Sequence, residues 1–148
     1  MIAIDFATPD ELPQMADLLA ELFMLESDFR PETDKQLQGL RLILENPQMG
    51  QLFVIRDGAT VAGMANALIT VSTAEGGRVL LLEDVIVSRD YRGKGLGRRL
   101  VEHVCDWARD QGITRVTLLA DRENQPALNF YRTLDFEPSF MTVLRKKL

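Results

Sequence analysis

At 148 residues, 46% hydrophobic and 26% charged, the chain has the size and balance of one soluble globular domain with a substantial core. Its 17 basic residues against 22 acidic ones exclude the long basic face that nucleic acid requires, and no apolar run of about 18 residues offers a membrane span. One cysteine, Cys105, excludes an intrachain disulfide, and the single His103 has no cysteine partners at zinc-ligand spacing. The opening MIAIDFATPDEL has no basic stretch leading into a long apolar core, so no secretory signal is expected and a cytoplasmic address is.

Met1–Phe6 alternates as a short strand. Thr8-Pro9-Asp10-Glu11 then reads as a helix start, with a hydroxyl cap, Pro in the first turn and acids at the positive dipole end. Leu12, Met15, Leu18, Leu19, Leu22 and Phe23 follow at helical spacing and predict a core-facing helix. Pro31 marks a loop over 26–33, and Leu37, Leu40, Ile43 and Leu44 predict a second helix over 36–45. Strands are expected at 51–56 and 60–72 around an Asp57-Gly58 hairpin turn, and at 78–87 after Gly76-Gly77, as an antiparallel meander. A helix over 95–111 carries Leu96, Leu100, Val101, Val104 and Ala108 on one stripe, with Cys105 and Trp107 read as packing residues. A buried strand at 114–120, a short helix at 124–134 and a last strand at 136–147 complete a β-α-α-β-β-β-α-β-α-β order. That order specifies an α/β (α+β) fold with a mixed, mostly antiparallel sheet flanked by helices. The strand–helix–strand step after the meander implies a parallel pair with a right-handed crossover.

The stretch VLLLEDVIVSRDYRGKGLGRRL, residues 79–100, carries the chemistry. A buried strand runs into the turn Arg92-Gly93-Lys94-Gly95-Leu96-Gly97 and a helix N-terminus, which together present outward-pointing amides and the positive dipole end. Residues 89–99 hold five cations and one acid, so the remainder has 12 basic against 21 acidic residues. A compact positive spot on an acidic protein fits a small phosphorylated ligand. The turn is not a Walker A loop, since Leu96 follows Gly93-Lys94-Gly95, and it is one residue short of the dinucleotide pattern G-x-G-x-x-G. Glu83 and Asp84 are a second signal. Two acids inside so apolar a strand are costly unless paired, hydrated or functional, and adjacency along a strand predicts that they face opposite sides.

The pattern [RQ]-x-x-G-x-G, met by Arg92, Gly95 and Gly97, resembles the acyl-CoA-binding motif of the GNAT superfamily of N-acetyltransferases. Residues 124–136, NQPALNFYRTLDF, resemble the second motif of that family through Asn124, Ala127, Phe130, Tyr131 and Phe136, with Asp135 where the family usually has Gly. The resemblance implies one acetyltransferase domain over the chain, acetyl-CoA as cofactor with CoA as product, and an amine acceptor. It also implies a pyrophosphate held by the amides of Gly93, Lys94, Gly95, Leu96 and Gly97 beside Arg92. The pantetheine arm would lie in a gap between splayed strands, bonded to the edge of Val85, Ile86 and Val87 and to Asn124. Glu83 would be the base, often through water, as in members acting on polyamines and amino sugars; Tyr131 would protonate the leaving thiolate, and a backbone N–H near Val85 would meet the oxyanion. No metal, membrane or nucleic acid enters this scheme. Many relatives dimerise, although no stripe here demands it. Glu21, Glu26 and Asp28 would suit a cationic amine, and Phe23, Met24 and Phe29 its carbon chain. Acetylation of a protein Lys or N-terminus, or acyl-CoA binding without turnover, are the rival readings.

Overall fold

A computed structural model describes residues 1–26 and 31–148. Five strands, β1 (Ile2–Phe6), β2 (Gly50–Asp57), β3 (Thr60–Ser72), β4 (Gly77–Val87) and β5 (Val116–Leu118), form one sheet in sequence order. The first four are antiparallel, and β4–β5 is parallel, joined through helix α3 (Leu96–Asp110). Helices α1 (Leu12–Leu25) and α2 (Thr33–Leu44) precede β2, and α4 (Gln125–Arg132) follows β5.

Two cores follow from the alternation of the central strands. Phe53 and Ile55 of β2, with Ala62, Ala65 and Ala67 of β3, pack against Leu96, Leu100, Val101, Val104 and Ala108 of α3. Leu52 and Val54, with Val61, Met64 and Ile86, pack against Leu12, Met15, Leu18 and Leu19 of α1 and Leu40 of α2. The strands are apolar in continuous runs because helices cover both faces of the sheet. Trp107 stacks edge-on with Phe6 and Phe53, at ring distances of 6.3 and 5.4 Å, so its role is packing as expected. No helix among the described residues is long and apolar enough to cross a membrane.

The start of α1 is tied to the sheet by one buried acid. Glu11 Oε1 accepts the Thr8 amide at 2.9 Å, and the two Glu11 carboxylate oxygens accept Arg56 Nε and Nη2 at 2.7 Å each. The Arg56 bond is the main reason the Glu11 carboxyl sits below its ordinary pKa. A folded-state pKa below the unfolded one gives stability that is present above the ordinary carboxylate pKa and is lost as pH falls through the folded value. Glu11→Ala is expected to lower stability by ~1–2 kcal/mol at neutral pH, since one amide loses its acceptor and Arg56 loses its two shortest bonds, keeping only the Phe6 carbonyl and Asp5. Urea melts should show that difference shrinking as pH falls below about 4.

Two expectations need correction. The strand expected at 114–120 pairs only over Val116–Leu118. The last strand, expected at 136–147, does not form: residues 137–148 are neither strand nor helix and are solvent-exposed. Its alternating apolar residues meet no neighbouring strand of their own chain, and a strand without a ladder partner is not stable in water.

Candidate active site

β4 leads through Ser88 and a single 3-10 turn over Arg89–Tyr91 into the glycine turn, which enters α3 directly. Gly93 and Gly95 both adopt left-handed backbone, with φ of +76° and +75°, which side-chain-bearing residues adopt only under strain. Gly95 is the N-cap of α3. With those two bends in place, the amide N–H groups of Gly93 through Arg98 meet no acceptor among the described residues. They form a set of unpaired donors at the positive end of α3. Leu96 contributes only its amide, because its side chain is buried in the α3 core.

The cations around the turn divide into two groups. Arg89, Lys94 and Arg99 make no ion pair among the described residues, and Lys94 lies 5.5 Å over the Tyr91 ring. Arg98 is held by Glu102 and by Thr133. Arg92, the first residue of the motif, acts as a strap: Nε donates to the Val87 carbonyl at 2.9 Å and Nη2 to Glu21 of α1 at 2.8 Å. The structure thus joins two residues expected on different ligands, Arg92 and Glu21, to each other.

The β4 edge behaves as expected on one side and not on the other. β5 pairs with Leu80, Leu81 and Leu82 and then stops, so Glu83 to Val87 have no strand beside them on that side. This is the splayed gap, bordered by Val85, Ile86 and Val87. The two acids, however, do not face opposite sides. Asn66 pairs with Glu83 and Met64 with Ile86, so two β4 residues, Asp84 and Val85, stand opposite Ala65 alone. Asp84 takes the left-handed backbone at φ +56° and turns its carboxylate onto Asn66, whose Nδ2 donates to Asp84 Oδ2 at 2.6 Å. Glu83, as the cross-strand neighbour of Asn66, is on that same side, the one covered by α1. The bulge has broken the alternation and collected both acids on one face.

Burial raises the Asp84 carboxyl to a pKa of about 6; the charges of Glu83 and Glu26 add to the rise, and the Asn66 bond opposes it. Asn66 is only 3% exposed, and its Oδ1 has no hydrogen-bond partner among the described residues. The sequence reading passed over Asn66. Its signal was present: one amide in the apolar run VAGMANALI must find a buried partner.

Tyr131 enters from α4. Its ring is half-buried, edge-on to Phe130 at 5.1 Å and to Phe136 at 5.7 Å. Burial, with the charge of Glu26 second, pushes its hydroxyl up to about 12. The charge of Glu26, at the C-cap of α1, contributes to the rise at both Asp84 and Tyr131. Asn124 caps α4, its Oδ1 accepting the Ala127 amide at 3.2 Å. Asp135 adopts φ +68°, the left-handed conformation for which the family pattern has Gly. Phe23 is half-buried and Met24 exposed near the end of α1, while Asp28 and Phe29 lie outside the described residues.

Comparison with known proteins identifies the family. N-acetyltransferase 8 of Rattus norvegicus is 34% identical over 95 residues, 62% of this chain and 43% of that protein. The glucosamine 6-phosphate N-acetyltransferase of Trypanosoma brucei brucei is 32% identical over 87 residues, 58% of this chain and 57% of its own length. This chain thus spans less than two thirds of either relative. A crystal structure of a predicted acetyltransferase from Clostridium acetobutylicum with acetyl-CoA superposes with a TM-score of 0.81 at 12% identity, over 99% of this chain and 96% of that one. The profile of the Acetyltransferase (GNAT) family matches residues 12–136, from the start of α1 through Phe136, and the chain belongs to that family.

Proposed function

We propose that this protein is an acetyl-CoA-dependent N-acetyltransferase that acetylates a small primary amine by direct transfer within a ternary complex. One observation carries the reading. The free amides of the glycine turn lie at the end of the same strand, β4, whose edge is unpaired from Glu83 to Val87 and whose bulge collects Glu83 and Asp84 on one face.

When bound, acetyl-CoA supplies the acetyl group as an activated thioester. The amides of Gly93 to Gly97 suit its pyrophosphate, with Lys94 and Arg99 as uncommitted cations nearby. Val85 and Ile86 offer edge groups to the extended arm; the Val87 carbonyl is already taken by Arg92, and Asn124 keeps its amide nitrogen as a donor. The Glu83–Asp84 pair takes the proton from the acceptor ammonium, and Asp84 is the member whose surroundings raise its basicity toward neutral pH. The Tyr131 hydroxyl gives its proton to the departing sulfur, and the Val85 amide faces the developing oxyanion. The acidic surroundings favour a cationic acceptor, and the name of the trypanosomal relative supports an amino-sugar class of amine.

Thermal melting tests the first half of this scheme. Acetyl-CoA or CoA at 100 times its Kd should add ~2.7 kcal/mol, a rise of roughly 5–10 °C, while ATP and NAD should not. Gly95→Ala should shrink the shift by straining the turn. Absence of any shift with either CoA form would end the proposal. Release of free CoA thiol across a panel of amines then tests the second half.

A further inference from the structure

We propose that Asn66 is a positioning residue for the transfer reaction: its side-chain amide seats the Asp84 carboxylate on the face of the sheet covered by α1, where that carboxylate meets the acceptor amine. The role rests on the proposed activity and adds to it the residue that aims the base. Two observations carry it. The first is the register of β3 against β4. Met64 stands opposite Ile86 and Asn66 opposite Glu83, which leaves Asp84 and Val85 facing Ala65 alone. At this bulge Asp84 takes φ +56°, a backbone that a residue with a side chain keeps only where its surroundings enforce it. The bond from Asn66 Nδ2 to Asp84 Oδ2, at 2.6 Å, is one such restraint, and it reaches the carboxylate from the neighbouring strand.

The second observation is what Asn66 costs the core. It is 3% exposed, with Leu52 of β2 as its cross-strand neighbour on one side and Glu83 on the other. Its Oδ1 is buried without a hydrogen-bond partner among the described residues. An apolar side chain at this position would fill the space without that penalty. An amide that commits one end to a carboxylate and leaves the other unsatisfied is a poor packing residue. What it contributes is the bond to Asp84.

The groups around Asp84 define what that bond does. Burial comes first in opposing ionisation of the Asp84 carboxyl, and the charges of Glu83 on β4 and Glu26 at the end of α1 add to it, while the Asn66 bond favours the charged form. β2 and α2 bring apolar side chains to this core, Leu52 and Val54 from the one and Leu37 and Leu40 from the other. Removing the Asn66 amide therefore leaves burial and two acids without their counterweight. The Asp84 carboxyl should then hold its proton to higher pH, and the carboxylate should lose its aim.

Asn66→Leu should lower kcat/KM for the amine by about 10²-fold and move its acid limb to higher pH, with KM for acetyl-CoA and the melting shift with acetyl-CoA unchanged. Asn66→Ala, which cannot overfill the site, should do the same. In ligand-free protein labelled with ¹³C-aspartate, the Asp84 carboxyl carbon, assigned by its absence from Asp84→Asn, should titrate at least about half a pH unit higher in both variants. The exchanged pair Asn66→Asp/Asp84→Asn keeps one amide against one carboxylate but moves the carboxylate to β3. It should melt close to the parent and stay inactive. An acid limb and a carboxyl that do not move in the single variants, or parent activity in the exchanged pair, would each overturn the role. The carbon titration needs no turnover, so it separates this inference from the activity. An unmoved carboxyl in a protein that acetylates amines overturns the role of Asn66 alone; a parent inactive with every amine overturns the proposed activity and the role with it.

Discussion

Tyr131→Phe is expected to lower kcat for acetyl transfer by 10²- to 10⁴-fold, the usual worth of a positioned acid, while the thermal shift with acetyl-CoA stays unchanged. The separation follows from where the hydroxyl lies. Phe keeps the edge-on packing with Phe130 and Phe136, so the ring and α4 hold their places. Only the proton donor is lost. Because burial and Glu26 hold the hydroxyl pKa near 12, Tyr131 is a neutral O–H throughout the range in which the enzyme is assayed, and it should contribute no alkaline limb below about pH 10. A variant of full activity would remove Tyr131 from the chemistry; one that also lost its acetyl-CoA shift would make it a binding residue.

Asp84→Asn should do two opposite things. It should abolish most activity, and it should raise stability. A carboxyl with a folded pKa near 6 against an ordinary value of 3.8 is penalised when charged. The sign follows from linkage. The folded state binds more protons between these values, so stability falls as pH rises from about 4 to 6 and the full penalty persists above 6. The penalty is on the order of 3 kcal/mol. Asn carries no charge and accepts the left-handed backbone at this position, so its melting temperature should exceed that of the parent at pH 7.5. Glu83→Gln gives the complementary result. Removing the neighbouring charge lets the Asp84 carboxyl fall, so the acid limb of kcat/KM, expected near pH 6 in the parent, should move to lower pH. If Glu83 itself accepts the proton, Glu83→Gln should instead lose activity at every pH, and Asp84→Asn should keep it. The two pH profiles therefore assign the proton to one member of the pair.

What the sequence made legible and what it did not divide along a physical line. The apolar stripe of α3, the glycine turn and the two motifs depend on residues close together in the chain, and local pattern was enough to locate them. The same was true of Asp135, where a missing Gly flagged a left-handed position that the structure shows at φ +68°. Pairing across the sheet was less legible. Adjacent residues in a regular strand alternate, so Glu83 and Asp84 read as facing apart; only the register against β3 reveals the extra residue that brings them together. Asn66 was missed for the same reason, since its partner Asp84 lies 18 positions away. The absent last strand marks another limit. Alternation at 136–147 shows what a segment is fit to become, and a partner decides whether it does.

The strap from Arg92 has a consequence for remodelling the enzyme. Arg92 joins the carbonyl of Val87, the glycine turn and Glu21 of α1, whose far end carries Glu26. On the proposed function, the helix on the acceptor side and the loop on the nucleotide side would thus be fastened by one guanidinium. Grafting an α1 from a relative to change amine preference would cut that fastening unless an acid is kept at position 21. A chimera lacking it should show a looser glycine turn, visible as lowered backbone ¹⁵N order parameters over residues 93–97, before any change in amine choice can be read.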